Sequence, residues 1–327
     1  MNKKIAAFLS ITTVAAIIGL VVAVLKGAKD IPLETIFNSI LHSDHSIDAE
    51  VVRNARIPRA ICTALVGGFL GISGAMMQGV TRNPIAEPSL MGISQGATLA
   101  VAFCYTGNTI LGLGGNTIAA FIGAILSGGL VLLFSMQNRR SSNLSRLLLA
   151  GTALSTFFIS LATVIALLTN QSQNLAFWVA GGFRTADWNN VWLALILGGI
   201  CVIAAFFLAP RINIVNLGED VATGLGENPV KVRILTLCLI IPLSAVSVAI
   251  AGNIAFVGLI IPHIIRRIFG QDYRIIIPLS FLGGATLLIW SDIAARLVNM
   301  PYETPIGLFT SIIGVPFFLW MVRKETA

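Results

Sequence analysis

Charge is scarce in this 327-residue chain. Its 21 basic and 14 acidic side chains make up 11% of residues, against roughly 25% in a soluble domain. A water-soluble fold of this size could not cover its surface with so few charges, so the solvent around most of the chain is lipid. Histidine is scarcer still, at three residues. The four cysteines, Cys62, Cys104, Cys201 and Cys238, form no CxxC and all lie in apolar stretches; they read as packed thiols, not as disulfides or metal ligands. No G-x-x-x-x-G-K-[ST] occurs, so the chain holds no P-loop nucleotide site, and any active transport draws its energy from another chain. Acids are almost missing from the middle of the apolar segments, which removes the relay that a proton-coupled carrier needs. Asp292 is the deepest, four residues before Arg296, a spacing that pairs the two on one helix face near an interface. The net charge of +7 comes without a basic run, which argues against nucleic acid; the basic residues lie mainly in loops and read as topology signals.

Apolar residues, by contrast, make up 56% of the chain, with a mean hydropathy of +0.89. They gather into ten stretches: 5–25, 60–80, 90–106, 116–136, 147–169, 191–209, 232–250, 253–269, 275–297 and 305–322. A membrane span needs about 20 such residues. Backbone groups in lipid must pair within the segment, and the alternation of a β-barrel strand is missing, so the stretches are predicted to be helices. The fold class is an all-α polytopic membrane protein of about ten spans, one domain over residues 1–327. The third stretch is short, and only Ala251 and Gly252 separate the seventh from the eighth. The first stretch, behind Lys3 and Lys4, is longer than the roughly 7–15 apolar residues of a cleaved signal, so it is read as a retained span. Gly67, Gly68, Gly71 and Gly74 on the second stretch, and Ala119, Gly123 and Ser127 on the fourth, are small-residue seams for close helix packing. Pro242, Pro262, Pro278 and Pro316 fall in or beside spans, where neighbouring helices make them tolerable.

Placing Lys3 and Lys4 in the cytoplasm and alternating sides puts fourteen basic residues inside and seven outside, so both termini are expected to be cytoplasmic. The outer side nevertheless holds Arg53, Arg56 and Arg59 in a tight cluster, and Arg296 ends the ninth stretch. These oppose the rule and call for a functional reason.

Several patterns read as incidental. Gly92-Ile93-Ser94-Gln95-Gly96 matches G-x-S-x-G, but it opens a membrane helix and lacks the strand–turn–helix setting of a nucleophile elbow. His42, Asp44 and His45 have no defined zinc spacing and lie in a polar outer loop. His263 reads as a packed histidine at a helix end. The longest inner loop, 211–231, is either a plain polar connector or a handle for an external motor. In it Asn216 is expected to cap a short helix carrying Glu219 and Asp220 in its first turn, ended by Gly224, Gly226 and Pro229.

The motifs Arg56-Ile57-Pro58-Arg59, Gly74 to Gln78, Arg82-Asn83-Pro84-Ile85-Ala86-Glu87-Pro88, Met91 to Ala97, Leu147 to Gly151, Gly181-Gly182-Phe183 with Asp187-Trp188, Leu217-Gly218-Glu219 with Ala222 and Leu225-Gly226, Phe256 to His263, Asp292 with Ala295-Arg296, and Pro305-Ile306-Gly307 with Gly314-Val315-Pro316 are specific. Over about residues 50–322 the chain resembles the FecCD-type permease family, the iron-chelate and vitamin B12 branch of type II ABC importers. That resemblance implies a transport subunit, not an enzyme, in a bacterial cell membrane, with no cofactor. Its implied partners are a cytoplasmic ATP-binding subunit dimer, a second permease (copy or paralogue), an extracytoplasmic substrate-binding lipoprotein and a ferric chelate. It assigns Leu217, Gly218, Glu219, Ala222, Gly224, Leu225 and Gly226 to ATPase coupling, and Arg56, Arg59 and Arg296 to docking of the binding protein. Spans five and ten are expected to line the pathway, with Asn83 and Ser145 at the cytoplasmic gate. Ferric siderophores are the expected cargo; haem or cobalamin in the same family, and a proton-coupled carrier of another class, are the alternatives.

Overall fold

The computed structural model describes residues 3–27, 31–41, 46–106, 112–136, 144–300 and 302–325; His42, Asp44 and His45 lie outside them. Ten principal helices match the ten apolar stretches: α1 Lys3–Leu25, α2 Ile57–Thr81, α3 Ile93–Cys104, α4 Gly112–Met136, α5 Leu144–Leu168, α6 Trp188–Asn216, α7 Pro229–Ala251, α8 Val257–Phe269, α9 Tyr273–Leu297 and α10 Ile306–Glu325. No strand occurs among the described residues. Seven helices (α1, α2, α4, α5, α6, α7 and α9) are long and apolar enough to cross a membrane. The other three include the two half-length helices, α3 of 12 residues and α8 of 13. At 1.5 Å per residue each rises about 20 Å, short of the roughly 30 Å hydrocarbon core.

Those two helices are short for an identifiable reason. Gly92 takes φ +71° and starts α3 behind a 3-10 turn, Pro88–Met91. Before α8 the chain runs non-helically from Gly252, at φ +68°, to Phe256, a non-glycine residue at φ +71°. The stretch expected from 253 therefore starts its helix only at Val257. Such irregular backbone is tolerated at membrane depth where protein surrounds it.

Helix α2 is the centre of the bundle. Eighteen of its 25 residues are buried, and α9, α7, α8 and α6 pack around it. Its glycine seam makes this packing close. A Cβ built on Gly67 would sit 2.4 Å from the Gly284 carbonyl oxygen of α9, and one on Gly74 only 1.9 Å from the Gly258 carbonyl oxygen of α8. The second seam joins α3 to α4, where Gly123 faces Gly96 and the Ser127 hydroxyl donates to the Gly92 carbonyl at 2.7 Å. Helix α1 lies at the periphery. It rests its small residues Ala16, Gly19 and Ala23 on α9 and turns Ile11, Val14, Ile17, Ile18 and Val21 outward. Cys62 and Cys201 are buried as expected, Cys104 is partly buried and Cys238 is exposed; all four are free thiols.

Short elements complete the frame. Helices Leu33–Leu41 and Ile47–Val51 precede α2, Ser172–Ala180 precedes α6, and Glu219–Gly224 joins α6 to α7. A π turn, Val52–Arg56, leads into α2. Pro58, just beyond it, lacks the N–H of the ordinary ladder and crowds the preceding turn, which a wider turn accommodates.

Candidate functional site

Polar chemistry concentrates at the two ends of the bundle and at one junction inside it. At the first end lies an ion-pair chain. Asp292, 1% exposed, has Arg59 Nη2 at 2.8 Å and Arg296 Nη2 at 2.9 Å on its two oxygens. The Arg296 contact is one of charge, because that nitrogen has no aligned hydrogen-bond acceptor. Arg59 Nη1 continues the chain to Glu303 Oε1 at 2.6 Å, and Arg184 reaches the other Glu303 oxygen at 3.4 Å. Burial works against the charge of Glu303, but the hydrogen bond from Arg59 and the charges of Arg59, Arg184 and Arg296 outweigh it and hold the carboxyl below its ordinary range.

The pairing of Asp292 with Arg296 is the one expected from their spacing. The surroundings of the arginines are not legible from spacing. Arg56 and Arg296 are buried. Arg56 Nη1 donates to the carbonyls of Val24 and Leu25, both at 3.0 Å. Arg296 Nη1 donates to those of Ala23 and Lys26, at 2.9 and 3.1 Å. Two guanidiniums thus close the last turn of α1, where unpaired carbonyls and the negative end of the helix dipole favour a cation. Arg184, with a side chain 45% exposed, is the member that reaches solvent.

At the opposite end, the helix Glu219–Gly224 hangs between α6 and α7. Gly218 caps it at φ +134°, with no side-chain cap bond. Asn216, expected as the cap, is instead the last residue of α6, and its amide donates to Gln271 Oε1 at 3.0 Å. The positive φ that the chain needs at the cap is one only glycine adopts cheaply, which moves the cap two residues on. Ala222 faces inward against Val215 and Val232, and Glu219 pairs with Arg233 at 2.9 Å. These fix the helix to the bundle. Its other side is open and mixed: Leu217, Val221 and Leu225 are 66%, 48% and 61% exposed, beside exposed Asp220 and Thr223. Val221 lies on the helix itself, Leu225 is its C-cap, and Leu217 precedes it at the end of α6. Val221 is absent from the expected coupling set, although its place midway between Leu217 and Leu225 is the signal that finds it. A Cβ on Gly224 would meet nothing within 4 Å; Gly226 stands at φ +82°.

The inner junction ties the turn after α2 to the break before α8. Asn83 Oδ1 accepts from the Ile85 N–H at 3.0 Å and so shapes its own turn. Glu87 Oε1 accepts from the Phe256 N–H at 2.7 Å, at the first turn of α8. Gln78 Nε2 donates to the Gly258 carbonyl at 3.1 Å, while Gln78 Oε1 accepts from Arg266 at 2.6 Å. Glu87 has no role in the sequence reading; its flanking Ala86 and Pro88 mark a turn and do not reveal a partner 169 residues away. Ser145 lies in the first turn of α5, and residues 141–143, expected beside it at the gate, lie outside the described ones. Helix α5 also carries Thr152, Thr156, Ser160 and Thr163 exposed on one face, at spacings of four, four and three residues. The three threonine hydroxyls bond back to carbonyls of their own helix.

Comparison with known proteins places the chain in a family. A family model described as the FecCD transport family matches residues 15–324. The chain is 42% identical over 309 residues to the iron(3+)-hydroxamate import system permease protein FhuB of Bacillus subtilis, covering 94% of this chain and 80% of that one. It is 33% identical over 305 residues to the hemin transport system permease protein HmuU of Yersinia pestis, covering 91% and 90%. Among solved structures, a metal-chelate type ABC transporter in an inward-facing conformation matches with a TM-score of 0.84 at 27% identity, covering 99% of this chain and all of the other.

Proposed function

The chain belongs to the FecCD transport family, and on that premise we propose that it is the permease subunit of an ABC importer, forming half of a channel that takes up a ferric siderophore under the power of a separate ATPase. The observation that carries the reading is the helix Glu219–Gly224. A short helix pinned to the bundle on one side and open on the other, with Leu217, Val221 and Leu225 exposed along it, suits insertion into a cleft of a motor subunit. That assigns its end of the bundle to the cytoplasm, in keeping with the basic bias of the loops.

The opposite end then faces the binding protein. Within the ion-pair cluster there, four guanidiniums (Arg56, Arg59, Arg184 and Arg296) stand against two carboxylates (Asp292 and Glu303), a local excess of two positive charges in an end that also carries Glu34, Asp48, Glu50 and Asp187. Such a patch steers acidic lobes of a partner and sets their register, and its effect weakens with salt. Arg59 and Arg184 act nearest the surface, and Arg56 and Arg296 contribute charge while holding α1.

Two permease copies or paralogues would enclose the pathway between them, with α5 and α10 as walls. The hydroxyl face of α5 supports this, because exposed polar side chains on a membrane helix face a partner or a watery cavity. Its threonine protons are already bonded within the helix, so the wall offers a large chelate little to hold. Asn83 and Ser145 mark the inner gate. The haem relative keeps haem as the second cargo reading. A proton-coupled carrier has little support: its best acid, Asp292, is held by two arginines.

The test is purification. The chain alone is expected neither to bind nor to hydrolyse ATP, to co-purify with an ATPase subunit, and to take up chelate only with ATP and a binding protein. Uptake by the isolated chain in liposomes under a proton gradient would overturn the reading. The chelate retained by the co-purifying binding protein then identifies the cargo.

A further inference from the structure

A cavity of about 540 Å³ opens at the Glu219 end, between the turn after α2, the end of α8 and the end of α10. Three arginines line it, Arg82, Arg266 and Arg267, and no carboxylate does. None of the three makes an ion pair among the described residues. Arg266 donates to the neutral Gln78, and the Arg267 guanidinium lies 4.9 Å from the centre of the Trp320 ring. Arg82 and Arg267 are exposed and Arg266 is half-buried, so the cavity is open to solvent and to a soluble or headgroup anion. Here three like charges converge on one space with no anion among the lining residues. His263 lines the same cavity, and its Nδ1 is buried without a hydrogen-bond partner. Arg82 is held there at some cost, as the α2 C-cap at φ +51° and ψ +32°, a left-handed conformation that glycine or asparagine usually fills.

We infer that this cavity is a binding site for a phosphate-class oxyanion, carried on the headgroup of an anionic phospholipid or free in solution. The guanidinium fork matches phosphate oxygens in pairs. The Gln271 amide, also in the lining, supplies a neutral donor. The level of the site suits a headgroup: Trp320 is the kind of residue that settles at a membrane–water interface, and basic pockets between helices on the cytoplasmic side hold acidic headgroups. Exposed Ile268, at the end of α8, is apolar surface for an acyl chain. The site adjoins the handle, since a Cβ on Gly218 would lie 3.8 Å from Arg82 Nη1. Occupancy therefore bears on the helix Glu219–Gly224. The inference does not depend on which chelate is carried.

The full chain, purified with its ATPase subunit, is placed in phosphatidylcholine nanodiscs with graded phosphatidylglycerol. Retained phosphatidylglycerol is counted by native mass spectrometry, and thermal unfolding is followed during titration with inorganic phosphate. Arg82→Gln and Arg267→Gln are each expected to lower retention about fivefold, and about 25-fold together. Arg211→Gln, at the same end but outside the cavity, is expected to leave it unchanged. Retention that inorganic phosphate does not displace assigns the site to the lipid; displacement by phosphate, with a raised unfolding temperature, assigns it to the free anion. Equal retention in wild type and the double variant overturns the proposal, as does retention that appears only once the ATPase subunit is removed, because the cavity would then be covered by that partner. Should the variants fail to fold, quenching in the wild-type complex decides. Brominated phosphatidylglycerol must quench the fluorescence lost in Trp320→Phe more than brominated phosphatidylcholine does, and equal quenching overturns the proposal.

Discussion

Glu87 and Phe256 are 169 residues apart in sequence and 2.7 Å apart in space, carboxylate oxygen to backbone N–H. The bond falls where α8 begins after five non-helical residues, so it satisfies one of the donors that a helix start leaves open. Glu87→Ala would leave that N–H unpaired in a protein interior, at a cost of about 1–3 kcal/mol. Glu87→Gln keeps the accepting oxygen and is expected to stay close to wild type. Thermal unfolding in detergent separates the two variants. Alanine and glutamine forms of equal stability would show that the bond carries nothing.

Asp292 makes a sharper case. Removing it leaves Arg59 and Arg296 facing one another in a buried site, and breaking a buried pair in this way costs about 3–5 kcal/mol. Asp292→Ala is therefore expected to unfold at a clearly lower temperature. Because Arg296 also closes the end of α1, the loss should be accompanied by faster proteolysis in the segment that follows Leu25. A proton carrier would instead need Asp292 for uptake while tolerating its loss in stability measurements.

Glu303 gives the pH dependence. Its carboxyl is held below the ordinary range by Arg59, Arg184 and Arg296, so the folded state favours its charged form. For a depressed acid the stabilisation is fully present above the unfolded value, about 4.3, and is lost as pH falls through the lower folded value. The ion-pair chain is thus expected to be intact at neutral pH and to weaken only below about pH 4. Glu303→Gln should flatten that acid limb of the unfolding curve and leave the neutral region almost unchanged.

The parts of the fold that lipid dictates were readable from residue order alone. Long apolar runs had to become helices, and the glycines at 67, 71 and 74 had to face other backbones. What could not be read was whatever depends on contacts between distant segments. Arg56 and Arg296 stand out as misplaced charges, yet only the fold brings them to the end of α1. Asn216 looks like a helix cap, but the positive φ required two residues later gives that place to Gly218. The length of the break before α8 leaves little trace beyond Gly252-Asn253, because Ile254 to Phe256 are apolar like the helices on either side.

Glycine positions test the packing. A Cβ on Gly74 would sit 1.9 Å from a backbone oxygen of α8, which no side-chain rotation can relieve. Gly74→Ala is expected to push α8 from α2 and to cost about 1–3 kcal/mol or more. Gly129 of α4 is the control, since a Cβ there meets nothing within 4 Å. Gly129→Ala should be neutral, or stabilising by up to about 1 kcal/mol through helix propensity. Similar effects at both positions would mean that the α2–α8 approach is looser than described.

The helix Glu219–Gly224 allows a folding role to be separated from the proposed coupling role. Ala222 points into the bundle, whereas Leu217, Val221 and Leu225 point out, so substitutions on the two sides of one short helix should fail differently. Val221→Asp removes an apolar contact from the open face without touching the packed one. It is expected to leave unfolding temperature and membrane insertion unchanged while abolishing co-purification of the ATPase subunit, since truncating a central apolar anchor of an interface costs about 2 kcal/mol or more. Gly224→Leu adds bulk into open space and should act in the same way, allowing ATP hydrolysis by the motor but not uptake. Ala222→Leu should instead lower stability, because the helix must lift away from Val215 and Val232. If Val221→Asp and Gly224→Leu support normal uptake, the motor does not grip this helix. The coupling surface would then have to be sought elsewhere at the same end of the bundle.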